Sequence, residues 1–293
     1  MGRLFSRFAR SRAVLFAAAL AASSACSERA QPVRASLSIG QLLAEPADAR
    51  FERALAPREL HFPVDHGPHP SFQVEWWYFT GNLDDGEGRE LSYQLTFFRR
   101  ALEFERVRGE SQWCARDAYL AHFTVGDASG AVFHAFERFD RDALGLSGAQ
   151  AKPWRVWSRD WSASGTLDGG DVHLVARAGD NALDLVVHAD CPPVPNGERG
   201  LSRKGTEQGQ ASYYYSIPRM TTRGTLTIDG RAHEVHGLSW FDREWSTCVL
   251  DAGQVGWDWF ALRIDDGSAL MLYRLRNADG SAGAFASGTF IAS

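Results

Sequence analysis

The stretch Glu90-Leu-Ser-Tyr-Gln-Leu-Thr-Phe97 decides the fold class. Leu91, Tyr93, Leu95 and Phe97 fall on one side of an extended chain, and Ser92, Gln94 and Thr96 on the other. Successive side chains of a strand point to opposite faces, so this two-residue period predicts a half-buried β-strand. Residues 119–125 alternate in the same way, with Tyr119, Ala121, Phe123 and Val125 together. Further strands are expected over 172–187, 225–228, 255–264 and 269–275. Turn chemistry separates them: Asp84-Asp-Gly86, Asp127-Ala-Ser-Gly130, Asp168-Gly-Gly170, Asp229-Gly230, Asp265-Asp-Gly267 and Asp279-Gly280. Glycine accepts positive φ and aspartate satisfies turn backbone groups, so these are hairpins. A chain of hairpins is a meander, and a meander hides its edges by closing into a barrel. The expected fold class is all-β and antiparallel.

The pattern also suggests an organisation along the chain. Residues 44–56 are expected to form a short helix, followed by a Pro- and Gly-rich loop over 61–70. Cys191-Pro-Pro-Val-Pro-Asn-Gly-Glu-Arg-Gly200 interrupts the alternation and places a domain boundary between about 191 and 210. Only about six strand candidates follow it, against the roughly eight of a closed barrel. The second unit is therefore expected to borrow strands from the first or to be truncated.

Composition narrows the function. A net charge of −5 without a basic run past the first dozen residues argues against a nucleic-acid partner. Ten Trp and eighteen Phe suit barrel interiors or an apolar ligand cavity. Arg3, Arg7, Arg10 and Arg12, then the apolar run 13–22 and small residues 23–25, read as a signal peptide over 1–25. Cys26 follows those small residues as in a bacterial lipobox, although Ser23 stands where leucine is usual. The expectation is an exported envelope protein, lipid-anchored at Cys26, with simple secretion as the alternative. Residues 26–45 then form a tether. In an oxidising compartment Cys114, Cys191 and Cys248 allow one disulfide and leave one thiol.

Three aromatic-rich clusters stand out. They are Val74-Glu-Trp-Trp-Tyr-Phe-Thr-Gly-Asn82, Ala211-Ser-Tyr-Tyr-Tyr-Ser-Ile-Pro218 and His236-Gly-Leu-Ser-Trp-Phe-Asp-Arg-Glu-Trp245. Gly256-Trp-Asp-Trp-Phe260 follows the third. If 240–244 is a strand, Trp240, Asp242 and Glu244 share one face. Burial beside a second carboxylate would raise the pKa of Asp242 and keep it protonated near neutral pH, able to donate to an olefin. Alternatively, Arg243 or another cation neutralises these acids and Asp-Arg-Glu is a structural salt-bridge knot. Glu75, Trp76, Trp77, Trp245 and Trp257 are candidate ligand contacts, with core packing as the alternative. His61, His66 and His69 lie on one loop at a spacing that permits a metal site, but no local acid-and-His arrangement fixes a geometry, and no metal site is expected. Gly237-Leu-Ser-Trp-Phe241 lacks the last glycine of a nucleophile elbow.

The runs His66-Gly-Pro-His-Pro-Ser-Phe-Gln-Val-Glu-Trp-Trp-Tyr-Phe-Thr-Gly81, Tyr93-Gln-Leu-Thr-Phe-Phe-Arg99, Gly200-Leu-Ser-Arg-Lys-Gly205 and Gly237-Leu-Ser-Trp-Phe-Asp-Arg-Glu-Trp-Ser246 resemble the AttH-type lipocalin-like family. That family includes the carotenoid 1,2-hydratases (hydroxyneurosporene synthases) and a "predicted secreted hydrolase" branch. The resemblance runs from about residue 45 to the end and implies two tandem lipocalin-like β-barrels, 46–200 and 201–293, the second short of strands. The hydratases add water across a C=C bond without a cofactor. Their acid maps onto Asp242, the aromatic two residues before it onto Trp240, and an upstream His and Trp onto Tyr213 and Tyr215. The last two positions depart from the hydratase pattern and fit the "hydrolase" branch better. The implied function is acid-base hydration or hydrolysis of a hydrophobic isoprenoid or lipid. The alternatives are a non-catalytic carrier of an apolar ligand and a structural envelope lipoprotein.

Overall fold

The computed structural model describes residues 48–104, 111–247, 250 and 253–293. The signal peptide, Cys26, the tether and Cys248 lie outside them. Cys114 and Cys191 are both free thiols.

Among the described residues sixteen strands form, and all six Asp-Gly turns join neighbouring ones. The first four are β1 (Val74–Asp84), β2 (Glu90–Ala101), β3 (Asp117–Asp127) and β4 (Val132–Arg141). Short strands follow: β5 (Ser147–Ala151), β6 (Trp154–Ser158), β7 (Trp161–Gly165), β8 (Asp171–Ala178) and β9 (Asn181–Ala189). After β10 (Val194–Pro195) and β11 (Leu201–Arg203) come two long strands, β12 (Ala211–Ile228) and β13 (Arg231–Ser246). The last three are β14 (Gln254–Arg263), β15 (Ala269–Asn277) and β16 (Ala282–Ile291).

The large sheet has 13 strands in the order β4-β3-β2-β1-β13-β12-β9-β8-β7-β6-β5, with β10 and β11 paired to β12. It curls into a nearly closed antiparallel barrel. Its two ends meet where Arg138 of β4 lies 4.1 Å over the Trp161 ring and donates to the Ser158 carbonyl at 3.4 Å. The chain crosses 191–210 without leaving this sheet, since β12 and β13 sit between β9 and β1. A second, three-stranded sheet, β14-β15-β16, packs on the outer face of the first, with Met271, Tyr273 and Leu275 against Trp76, Phe98, Tyr214 and Trp240.

This packing explains why the aromatic clusters do not alternate with polar residues. They lie in β1, β12 and β13, three adjacent strands covered on both faces. Gly81 in the first cluster is required by close approach. A Cβ there would lie 2.5 Å from the Tyr93 ring and 2.7 Å from Ser239 Oγ, two side chains hydrogen-bonded to each other over it.

The helix expected at 44–56 is not formed over its described part, 48–56. Asp48 instead accepts the Arg50 backbone N–H at 2.9 Å in a local turn, and Phe51 and Ala54 are buried individually. The following loop caps one end of the barrel. Its His66 carbonyl accepts the indole N–H groups of Trp77 (3.0 Å) and Trp154 (2.7 Å), and its Gly67 carbonyl accepts Arg243 at 2.7 Å.

Under this cap lies a buried ion cluster. Glu75 pairs with both Arg99 and Arg243, and Arg99 also reaches Asp117 at 2.6 Å. Burial alone would raise the Glu75 pKa, but the two guanidinium charges outweigh it and hold the carboxyl well below the usual range. Replacing Glu75 with Gln should therefore cost about 3–5 kcal/mol, because Arg243 would be left buried without a carboxylate. Urea titration of the two proteins measures this, and a loss below about 1 kcal/mol would show that the cluster does not hold the cap.

Candidate functional site

The site follows from register. Tyr78 of β1 lies opposite Asp242 of β13, which lies opposite Ser216 of β12. One step along, Trp76, Glu244 and Tyr214 form the parallel row. Both rows point out of the barrel toward the small sheet. Between the two sheets is a cavity of ≈ 250 Å³, walled by Trp76, Tyr78, Phe98, Tyr214, Trp257, Trp259 and Leu275. Asp242, Glu244 and Lys204 are its charged side chains.

Asp242 is only 4% exposed. Its Oδ1 accepts Ser216 Oγ at 2.5 Å and Trp240 Nε1 at 2.8 Å, and its Oδ2 accepts Tyr214 Oη at 2.9 Å. Two of these donors are themselves oriented. Ser216 Oγ accepts from Asn196 Nδ2 at 2.8 Å, and Tyr214 Oη from Trp259 Nε1 at 3.2 Å. Each carboxyl oxygen has two lone-pair positions, so one position on Oδ2 remains for the acidic proton. Burial raises the pKa of Asp242 to about 7, opposed by the bonds from Ser216, Trp240 and Tyr214 and assisted by the charge of Glu244. Tyr214 titrates well above its ordinary value, chiefly through burial and then the nearby Asp242 and Glu244, so it stays a donor.

The salt-bridge knot forms only in part, with Lys204 rather than Arg243 neutralising Glu244 and, among the described residues, no cation paired with Asp242. Arg243 lies on the opposite face, where it pairs with Glu75 and lies 4.0 Å over the Trp77 ring. Glu244 has another partner, Lys204, at 2.9 Å, and it also accepts the Ser212 hydroxyl. Burial works against the Lys204 ammonium, but the charge of Glu244 and then Tyr273 raise its pKa overall. Its Nζ lies 3.9 Å over the Tyr273 ring.

Of the residues singled out from sequence, Asp242, Trp240, Trp76 and Trp257 come together here. The Trp76 and Trp257 rings are stacked, 6.2 Å apart. Tyr213 and Tyr215 do not join them. Alternation turns both into the barrel, where Tyr213 donates to the Ala56 carbonyl at 2.9 Å and Tyr215 bonds His66 Nδ1 at 2.6 Å. Tyr214, between them, is the one that reaches Asp242. Glu75, Trp77 and Trp245 also face the barrel interior rather than the cavity. His66 and His69 are engaged there by Asp168 and Asp65, each at 2.9 Å. Among the described residues no group of His, Cys, Asp and Glu could hold a metal ion. Sequence reading gives no role to Tyr78, Trp259 and Lys204, while Tyr214 belongs to the tyrosine run that reads as cavity lining or strand filler. Lys204 sits in the quoted Gly200–Gly205 run, where β11 pairs with β12 and delivers it into the cavity.

Comparison with known proteins agrees with this architecture. The AttH-like family profile matches residues 53–293. The crystal structure of an AttH candidate from Nitrosomonas europaea superposes with a TM-score of 0.70 at 34% identity, over 80% of this chain and 72% of that one. Kievitone hydratase from Nectria haematococca shares the fold with a TM-score of 0.56 at 13% identity, over 84% of this chain and 72% of that one. A search of the curated proteins found no match.

A pKa of about 7 in the fold, against the ordinary 3.8, makes stability depend on pH. The folded state holds the Asp242 proton that the unfolded chain has released, so this contribution is complete below the ordinary value and lost as pH rises through about 7. The stability of the wild type minus that of Asp242→Asn should fall by about 1.4 kcal/mol per pH unit between about pH 5 and 7 and then level off. Denaturant melts at stepped pH measure it; a difference that stays flat would mean that Asp242 is ionised throughout.

Proposed function

This chain belongs to the AttH-like family, and on that premise we propose that the cavity between its two sheets is an active site whose acid is Asp242. The substrate is a hydrophobic olefin of isoprenoid or lipid type, and the reaction is acid-base hydration or hydrolysis without a cofactor. One observation carries the proposal: a carboxyl group without a cation partner, titrating near neutral pH, on the wall of an aromatic cavity. The proton on Oδ2 passes to an olefinic carbon. The π faces of Tyr78, Tyr214 and Trp259 stabilise the cation that results. Water then adds to it.

The same aromatic lining favours a second reading, a carrier that holds an apolar molecule without turnover. Export to the envelope with a lipid anchor at Cys26 is part of the proposal, supported by the basic residues, apolar run and small residues that precede this cysteine.

A vinyl ether tests the acid directly, because its hydrolysis begins with protonation at carbon. The protein should accelerate hydrolysis of α-methoxystyrene to acetophenone, and Asp242→Asn should lower the rate about 100-fold or more. The rate should be level below pH 7 and fall about tenfold per unit above it, since only the protonated carboxyl donates. Glu244, Lys204, Tyr78 and Tyr214 face the same space, and of the four only Glu244 pushes the Asp242 proton affinity upward. Saturable binding of the ether without acceleration would favour the carrier.

A further inference from the structure

The cavity contains a second carboxylate that the proposed acid step does not use. Glu244 follows Asp242 by two residues on the same strand, so both side chains leave the same face. Two residues of strand separate their backbones by about 6.6 Å, room for a substrate carbon and one water.

The surroundings of the two differ in kind. Asp242 is held by three neutral donors. Glu244 is held by a buried ammonium, Lys204 Nζ at 2.9 Å, and by the Ser212 hydroxyl. Lys204 is itself fixed: β11 pairs with β12, and the Tyr273 hydroxyl donates to the Arg203 carbonyl at 2.9 Å beside it. A buried ion pair of this sort gives no clear stability gain over apolar packing. Two carboxyl groups side by side, one among neutral donors and the other beside a cation, are the usual arrangement of an acid and a base.

We propose that Glu244 is the base of this site, taking a proton from the water that adds to the cation formed by Asp242, with Lys204 and Ser212 as positioning residues. The proposal rests on the assignment of Asp242 as the acid. It narrows the reaction to addition of water to a C=C bond. The Asp242 O–H bond breaks and the π pair forms a C–H bond at one olefinic carbon. The water oxygen forms a C–O bond at the neighbouring cationic carbon, and the Glu244 carboxylate takes the proton that water loses. The product is an alcohol. Asp242 is left as carboxylate and Glu244 as carboxylic acid, and exchange with solvent water returns the proton from one to the other. Without the base, the cation reverts by giving a proton back to Asp242.

That partition can be read with α-methylstyrene in D2O, using the purified full chain. The wild type should put deuterium into recovered alkene and also form 2-phenylpropan-2-ol, both followed by NMR. Glu244→Gln should lower alcohol formation about 100-fold while alkene deuteration stays within about threefold. Asp242→Asn should lose both signals. Because Glu244→Gln leaves Lys204 unpaired, the double variant Lys204→Met, Glu244→Gln removes both charges and should show the same split. Unchanged alcohol formation in both Glu244 variants would overturn the base assignment and leave Asp242 as the acid. Loss of both signals in both variants would overturn it too, by showing that Glu244 only shapes the cavity. Neither signal in the wild type would overturn the acid assignment itself, and this one with it.

Discussion

Everything at the site depends on the register of β1, β13 and β12. Side chains alternate across a sheet, so one register decides which of Asp242 and Arg243 faces the barrel and which faces the cavity. The inner row Trp77–Arg243–Tyr215 and the outer row Tyr78–Asp242–Ser216 are fixed together. A slip of one residue would put Arg243 in the cavity and an unpaired acid in the core. Glu75 works against that slip, because its carboxylate in the barrel needs the guanidinium of Arg243. The ion cluster inside the barrel thus keeps Arg243 from pairing with Asp242 outside it.

The same two-sided burial explains where the cavity lies. A lipocalin-like barrel suggests a ligand inside, but Trp77, Trp161, Trp245, Arg99 and Arg243 are all fully buried and occupy this interior. The cap over 61–70 seals one end with indole and guanidinium donors. The remaining space is between the outer face of the large sheet and the small one. The small sheet offers aromatic side chains and no cation near Asp242. Its own contribution to the acid is Trp259, which orients the Tyr214 hydroxyl.

Much of the fold was legible because alternation and Asp-Gly turns are local signals. The expected strands form, except that 172–187 divides into β8 and β9 and 225–228 is the end of the long β12, and each expected turn is a hairpin. The helix at 44–56 failed because apolar residues there are buried one at a time by distant parts of the chain, which periodicity cannot express. The site was legible in part for the same reason. Trp240, Asp242 and Glu244 share a strand, so their common face follows from sequence alone. The tyrosine triplet does not share it. Which of Tyr213, Tyr214 and Tyr215 meets Asp242 depends on pairing between strands, and a carry-over by motif chose the wrong parity. Lys204 was hidden by a different limit: a glycine-flanked basic pair resembles a surface turn until a neighbouring strand covers it.

The proton affinity of Asp242 is a balance of opposing effects. Burial raises the pKa of the carboxyl, while the hydroxyl and indole donors stabilise its charged form and pull it back. With burial alone the proton would be held too firmly to transfer. With a cation nearby it would be absent at neutral pH. Three neutral, oriented donors leave the group near the midpoint, where a proton is both present and transferable. They also fill three of four acceptor positions, so the remaining proton has one place to sit. The same three hydrogen bonds therefore both temper the proton affinity that burial raises and leave one position open on Asp242, and each of them exists only in the register that buries Arg243.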